Sequence, residues 1–121
     1  MKKTSIDEFI TKSFNNPDEK AEFPGVTLET VQLGNFTIHR MKCDPGWRWT
    51  DSLPGIIGTD TCEFEHPAWI VLTGRFVVQM NDGRTQEFGP GDIGKIPPGH
   101  DAWVDGDEPV LAIDIQVNGH A

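Results

Sequence analysis

The chain has few residues of several kinds, and each shortage narrows the classes of protein it can belong to. Its 121 residues include only two cysteines, too few for a disulfide scaffold, so we expect both thiols to stay reduced. No apolar run is long enough to span a membrane. The first residues, MKKTSIDEFITK, begin basic but lack the apolar stretch of a signal peptide. We therefore expect a cytoplasmic protein with no membrane partner.

Basic residues are also scarce. Ten lysines and arginines stand against 19 acidic residues, for a net charge of −9. A surface of this charge repels phosphate backbones, which predicts that the protein does not bind nucleic acid. The sequence also lacks a phosphate-binding loop and a Cys-x-x-Cys pair, so two common signatures of nucleotide-binding and redox proteins are missing.

What is present is an ordinary globular composition, with 36% hydrophobic residues. Apolar side chains recur at helical spacing over residues 4–16, and Pro17 follows them, which predicts one short N-terminal helix. The polar segment 17–25 is typical of a linker. We therefore divide the chain into an N-terminal helix and linker, residues 1–25, and one larger domain, residues 26–121.

The larger domain is predicted to be all β. Short apolar runs alternate with glycine- and proline-rich turns, and Asn81-Asp82-Gly83 is a strong hairpin turn. About eight or nine short strands at regular spacing favour a β-sandwich or a β-barrel.

The turn residues have a spacing that resembles a known family. Gly91, Pro97 and Gly99 are spaced like the opening of the second cupin motif, and HPAWIVLTG ends in Gly74 where the first motif ends. Gly55 falls where that first motif begins. The chain is similar to small single-domain bacterial cupins. The resemblance implies a conical jelly-roll β-barrel, here preceded by the short N-terminal helix.

Many cupins bind a divalent metal through three histidines and a glutamate, but this sequence departs from that pattern. The histidine position of the second motif is Ala102, and the glutamate position of the first is Pro67. Depending on the spacing, the two other positions hold Thr61 and Glu63 or Asp60 and Cys62. None of the usual ligands is in register, so a metal site of the usual geometry is not expected.

A metal site built from other residues is still possible. His100 lies two residues before the missing histidine position, so strand alternation turns its side chain into the barrel. His66 would also turn inward if a β-bulge preceded Pro67. Cys62 or Glu63 would then supply a further ligand, and zinc or iron accepts such a mixed set. His66 and His100 are therefore both the candidate metal ligands and the candidate catalytic residues, and a protein without metal is the alternative.

Two tryptophans are candidate ligand-contacting residues, together with Cys62. Trp47 and Trp49 are two residues apart, so on a strand they would share one face. Their indole rings could then form the floor of a ligand pocket. Packing in the core or at a dimer interface is the alternative for both. His100 could also be a turn residue bonded to nearby backbone, and we expect a structural role for His39.

Three functions fit this sequence. The first is a small-molecule-binding cupin, sensory or accessory in role, and the missing ligands favour it. The second is a metal-dependent enzyme of the dioxygenase or isomerase type acting on a small organic substrate. The third is a metal-free enzyme that uses His100 as a general acid or base. We expect a homodimer, because a small barrel leaves sheet edges to protect and because cupins commonly pair.

Overall fold

A computed structural model describes residues 7–53 and 61–117 of the chain. These residues form nine strands and one short helix. In chain order they are β1 (Glu19–Phe23), β2 (Val26–Leu33), β3 (Phe36–Cys43), α1 (Trp49–Ser52), β4 (His66–Thr73), β5 (Phe76–Met80), β6 (Thr85–Phe88), β7 (Ile93–Ile96), β8 (His100–Val104) and β9 (Val110–Val117). Gly55 and Asp60 lie outside the described residues.

The strands form two antiparallel sheets that face each other. One has six strands in the order β1-β2-β3-β9-β4-β7, and the other has three in the order β6-β5-β8. Strand β9, the last in the chain, lies between β3 and β4 at the centre of the larger sheet. The all-β, jelly-roll prediction is confirmed.

The N-terminal segment differs from its prediction. Residues 7–16, which cover most of the predicted helix 4–16, are not helical. Phe9 is fully exposed, and a short helix without a packed apolar face is not stable in water. The predicted linker, 17–25, contains an edge strand, because β1 pairs with β2 along its whole length. No helix among the described residues has the length and apolar character needed to cross a bilayer.

The core lies between the two sheets. Trp69 and Val71 of β4 are fully buried, and the Trp69 ring packs against Phe76 of β5 with 5.2 Å between ring centroids. Gly74 joins these two strands with a φ of +79°, and a Cβ there would lie 2.5 Å from the carbonyl oxygen of Pro109. Only glycine fits a position that combines this backbone angle with so close an approach.

The short helix is held against β8 by one buried carboxylate. Asp101 accepts hydrogen bonds from Arg48 Nε (2.7 Å), from the Thr50 N–H (3.2 Å) and from the Thr50 hydroxyl (3.1 Å). These contacts hold the segment that contains Trp47 and Trp49. The two tryptophans are both 5% exposed, but they do not share a strand face as predicted, because Trp49 begins α1.

Candidate functional site

A cavity of about 700 Å³ lies between the sheets. Its size falls within the range of roughly 300–1,000 Å³ that is typical of small-molecule sites. Much of its wall is aromatic, formed by Phe23, Trp47, Trp49, Phe64, Trp69 and Phe76. Its polar groups include Cys62, His39, His66, His100 and Asp114. The cavity therefore combines apolar walls with a few buried polar groups, as ligand sites do.

Three potential metal ligands meet in this cavity. Ligand atoms of Cys62, His66 and His100 all lie within 4.8 Å of one another. Backbone hydrogen bonds hold Cys62 beside the start of β8, with its N–H donating to the carbonyl of His100 (2.7 Å) and its carbonyl accepting from Gly99 (2.8 Å). The rings of His66 and His100 lie edge to face, with 5.3 Å between their centroids. The sequence named these three residues, and the structure brings them together.

The orientation of His100 is set by the turn before β8. Its ring is buried, and its Nδ1 lies 2.9 Å from the carbonyl oxygen of Pro97. Because a carbonyl can only accept, Nδ1 carries the proton of this contact, and Nε2 is the ring nitrogen left for the cluster. Ala102, two residues further, also lines the cavity, as strand alternation predicts. Both interpretations of His100 therefore hold: it bonds to turn backbone and it lines the cavity.

His66 turns inward at an irregularity in β4. The pairing of β4 with β7 shifts register between His66 and Trp69. The irregularity therefore includes Pro67, whereas the sequence predicted an inward His66 only if a bulge preceded Pro67. The His66 side chain is 14% exposed, and its Nδ1 lies 3.1 Å from Asp114 Oδ2. The two groups make an ion pair without the alignment of a linear hydrogen bond, and the other ring nitrogen, Nε2, is left for Cys62 or a metal.

The side chains of this cluster shift one another's pKa values. Burial by itself raises the pKa of the Cys62 thiol, but hydrogen bonds from His100 and His66 outweigh it and lower the pKa to about 7. Burial likewise lowers the pKa of His66, but Asp114 and the Cys62 sulfur outweigh it and raise the pKa to about 9. Between these two values Cys62 is a thiolate and His66 an imidazolium. A thiolate is the form of cysteine that binds metals.

Cys43 shows how much the surroundings matter. It is fully buried, and burial, with a smaller contribution from Asp44, raises the pKa of its thiol to about 12. It has no imidazole to stabilise a thiolate, so it is an inert core residue. Of the two cysteines, only Cys62 therefore has a thiol that readily ionises and can bind a metal.

Asp114 is a site residue that the sequence analysis missed. It lies in β9, is 4% exposed, and its carboxylate faces the His66 ring. A carboxylate beside the far nitrogen of a metal-binding histidine restricts the orientation of the ring and makes it a better ligand. One signal was available, since Asp114 interrupts the apolar run VLAIDIQV in phase with the inward residues Val110 and Ala112.

His39 lines the same cavity from the neighbouring strand. It stands opposite Asp114 in the β3–β9 pairing, and its Nδ1 lies 2.9 Å from the Thr30 hydroxyl. Burial lowers the pKa of His39, although Asp114 opposes the shift, so the ring is neutral at pH 7. It is not one of the three clustered ligands.

Glu63, the fourth predicted metal ligand, lies at the cavity rim. It is exposed and accepts a hydrogen bond from the Thr61 hydroxyl (3.2 Å). Its carboxylate is not part of the group of ligand atoms within 4.8 Å of one another.

The structure also places the two tryptophans that were predicted to contact a ligand. Both Trp47 and Trp49 line the cavity.

The donor set suits a transition metal. One sulfur and two imidazole nitrogens are ligands that zinc and iron both accept. Three protein ligands leave a fourth position open, which is the arrangement of catalytic rather than structural zinc sites. Cys62, His66 and His100 are therefore a candidate metal-binding group.

Comparisons with known proteins support the fold. No protein-family model matches the sequence, and no curated protein is significantly similar to it. A solved structure of unknown function from Rhizobium leguminosarum is 27% identical with a TM-score of 0.59, covering 78% of this chain and 83% of that one. A cupin-like protein from Thermotoga maritima is 21% identical with a TM-score of 0.59, covering 87% of this chain and 80% of that one.

A third similar structure is described as a sugar phosphate isomerase from the cupin superfamily, from Silicibacter pomeroyi. It is 17% identical with a TM-score of 0.56, covering 79% of this chain and 61% of that one. The sequence resemblance and the strand order agree with these similarities. The chain therefore shares the fold of these cupin structures.

Proposed function

We propose that this protein is a small-molecule-binding cupin whose cavity holds a divalent metal through Cys62, His66 and His100. One observation carries the proposal: ligand atoms of the three residues converge within 4.8 Å on the wall of a cavity of about 700 Å³. Zinc or iron is the metal that one thiolate and two imidazoles fit best.

The surrounding residues prepare this site for a metal. The Pro97 carbonyl accepts a hydrogen bond from His100 Nδ1, which leaves Nε2 as the ring nitrogen that a metal would bind. Asp114 orients the His66 ring and increases its basicity. A bound metal would offer an open position at which an oxygen atom of the ligand is polarised. The aromatic walls exclude water from that position.

A metal-dependent enzyme of the dioxygenase or isomerase type is the second candidate. It is favoured by the three-ligand set, which leaves room for a substrate atom. It is also favoured by the fold shared with the cupin described as a sugar phosphate isomerase. Turnover of a bound molecule by the metal-loaded protein separates this candidate from binding alone.

Metal analysis of protein purified without a histidine tag tests the proposal. We expect about one zinc or iron per chain, and loss of that metal in the Cys62→Ser, His66→Ala and His100→Ala variants. His39→Ala is the matched control, because His39 lines the cavity outside the cluster, and it should keep its metal. Cobalt-loaded wild-type protein should show a thiolate-to-metal charge-transfer band that Cys62→Ser lacks. Wild-type protein that takes up neither zinc, iron nor cobalt would refute the metal site.

We also propose that the protein pairs with a second copy through the outer face of the six-stranded sheet. Ile93, Ile70 and Ile113 are neighbours across β7, β4 and β9. Trp69 and Asp114 face the interior, so strand alternation turns the three isoleucines outward, and Ile93 is 69% exposed. Burying such an apolar row between two copies removes it from water.

Light scattering coupled to gel filtration tests this pairing. Wild-type protein should have twice the mass of one chain, and Ile93→Lys should shift it toward the monomer mass. Thr85→Lys places the same charge on an exposed position of the other sheet and should stay dimeric. A monomeric wild type would contradict the pairing.

A further inference from the structure

The described lining of the cavity carries acidic side chains and no lysine or arginine. The acidic residues are Glu63, Glu65 and Asp114. Binding of carboxylates and phosphates normally relies on arginine or lysine.

The nearby arginines are engaged elsewhere. Arg40 pairs with Glu29 (2.6 Å between Nε and Oε1), and Arg48 pairs with Asp101 (2.7 Å between Nε and Oδ2). The Arg48 guanidinium also stacks over the Trp103 ring, 4.6 Å from its centroid. Neither arginine lines the cavity.

A bound metal would not make the cavity positively charged. Two positive charges on the ion would be offset by the Cys62 thiolate and the Asp114 carboxylate, so the inner end of the cavity would be close to neutral. An anion would gain little there, and it would pass the exposed carboxylates of Glu63 and Glu65 on entry. A cation would lose its hydration among apolar walls without a partner at the metal end.

The apolar wall leads directly to the three-residue cluster. The rings of Trp47, Phe76, Trp69, His66 and His100 follow one another in that order. Successive ring centroids are 6.3, 5.2, 5.3 and 5.3 Å apart. An apolar molecule lying along this series of rings would bring one end to the ligand atoms of the cluster.

We propose that the cavity selects an uncharged, mainly apolar molecule that carries one oxygen atom, which reaches the Cys62, His66 and His100 group, and that it discriminates against anions. The inference rests on the proposed function, since it assigns a ligand class to the same site. It predicts a different ligand chemistry from that of a sugar phosphate, the substrate class in the description of one similar cupin.

Three probes with the same ring system test the selectivity. They are 2-naphthol, which is neutral at pH 7, 2-naphthoate, an anion, and 2-naphthylmethylamine, a cation. Their binding to zinc-loaded protein is measured by titration calorimetry and by the shift in melting temperature. We expect 2-naphthol to bind at least about tenfold more tightly than either charged probe. Equal or tighter binding of 2-naphthoate, or no binding of 2-naphthol, would overturn the inference.

A charge variant tests the role of the rim. Glu63→Gln combined with Glu65→Gln should increase the affinity for 2-naphthoate and leave that for 2-naphthol unchanged. Glu22→Gln combined with Glu108→Gln makes the same change in net charge at exposed positions that do not line the cavity. This control should affect neither probe. If both double variants changed 2-naphthoate binding equally, net charge alone would explain the selectivity.

Metal-free protein separates the two proposals. The aromatic series and the acidic groups remain without metal, so 2-naphthol should still be preferred over 2-naphthoate, although its affinity should fall. If metal analysis fails while 2-naphthol is still preferred, the metal site is refuted and the ligand class stands. If the metal is bound and 2-naphthoate is preferred, only the ligand class is refuted.

Discussion

Asp114→Asn isolates what a buried carboxylate contributes to the proposed metal site. The substitution keeps the shape of the side chain and removes the charge that lies 3.1 Å from His66 Nδ1. Loss of such a partner typically reduces metal affinity by about 10- to 100-fold, or about 1.4 to 2.7 kcal/mol. Asp114 is 4% exposed, so solvent does not screen the interaction, and we expect an effect in this range.

The effect should depend on pH in a defined direction. The pKa of His66 is raised to about 9, so at pH 7 a metal must displace a proton from this ring. Removing the carboxylate lowers the affinity of His66 for the proton as well as for the metal, and the two losses largely cancel at pH 7. Above pH 9 the ring is neutral in both proteins, so the full loss of metal affinity should appear.

Competition with a chromophoric chelator measures zinc affinity at pH 7 and at pH 9.5. The ratio of the variant to the wild-type dissociation constant should rise from near 1 to about 10 to 100. Asp101→Asn makes the same substitution at a buried carboxylate that anchors α1 and should leave the ratio near 1 at both pH values. A ratio for Asp114→Asn that does not grow with pH would refute the carboxylate's action through His66.

Three further predictions concern the site and the fold. Zinc binding at pH 8 should release about one proton, from His66, because the Cys62 thiol has a pKa of about 7 and is already ionised. Below pH 7 the number of protons released should rise toward two. Calorimetry in buffers of different ionisation enthalpy measures this number. Gly74→Ala should lower the free energy of unfolding in urea by about 2 kcal/mol or more. Gly83→Ala, with a φ of +95° but no atom near the added Cβ, should cost about 1 kcal/mol. Asp101→Ala should cost about 2 kcal/mol, because it leaves several hydrogen-bond donors without their acceptor; an unchanged midpoint would contradict the anchoring of α1.

Much of the fold could be predicted from local sequence. Strand and turn signals depend on neighbouring residues, so the hairpins around Asn81-Asp82-Gly83 and the turn at Gly91 were recognisable along the chain. The N-terminal segment was predicted wrongly for the same reason. Helical periodicity over residues 4–16 says nothing about whether a surface exists to bury it, and the exposed Phe9 shows that none does among the described residues.

The candidate site was only partly predictable. Strand alternation placed His100 on the inner face, and Cys62 and His66 could be named because the usual cupin ligands were missing. Adding Asp114 required the structure, because its distance from the cluster depends on how separate strands are aligned. Excluding Glu63 also required it, because the structure shows its carboxylate exposed and bonded to the Thr61 hydroxyl. Asp114 lies 48 positions from His66 in sequence, and only the β4–β9 pairing brings their strands together.

The sequence by itself determined an all-β chain with its turns, its inward-facing residues and its shortage of cupin ligands, because backbone preference and strand alternation act over a few residues. Only the tertiary structure decided that Cys62, His66, His100 and Asp114 share one buried site. Their ionisation was also decided there, since burial, hydrogen bonding and charge coupling arise only between side chains that folding brings into contact.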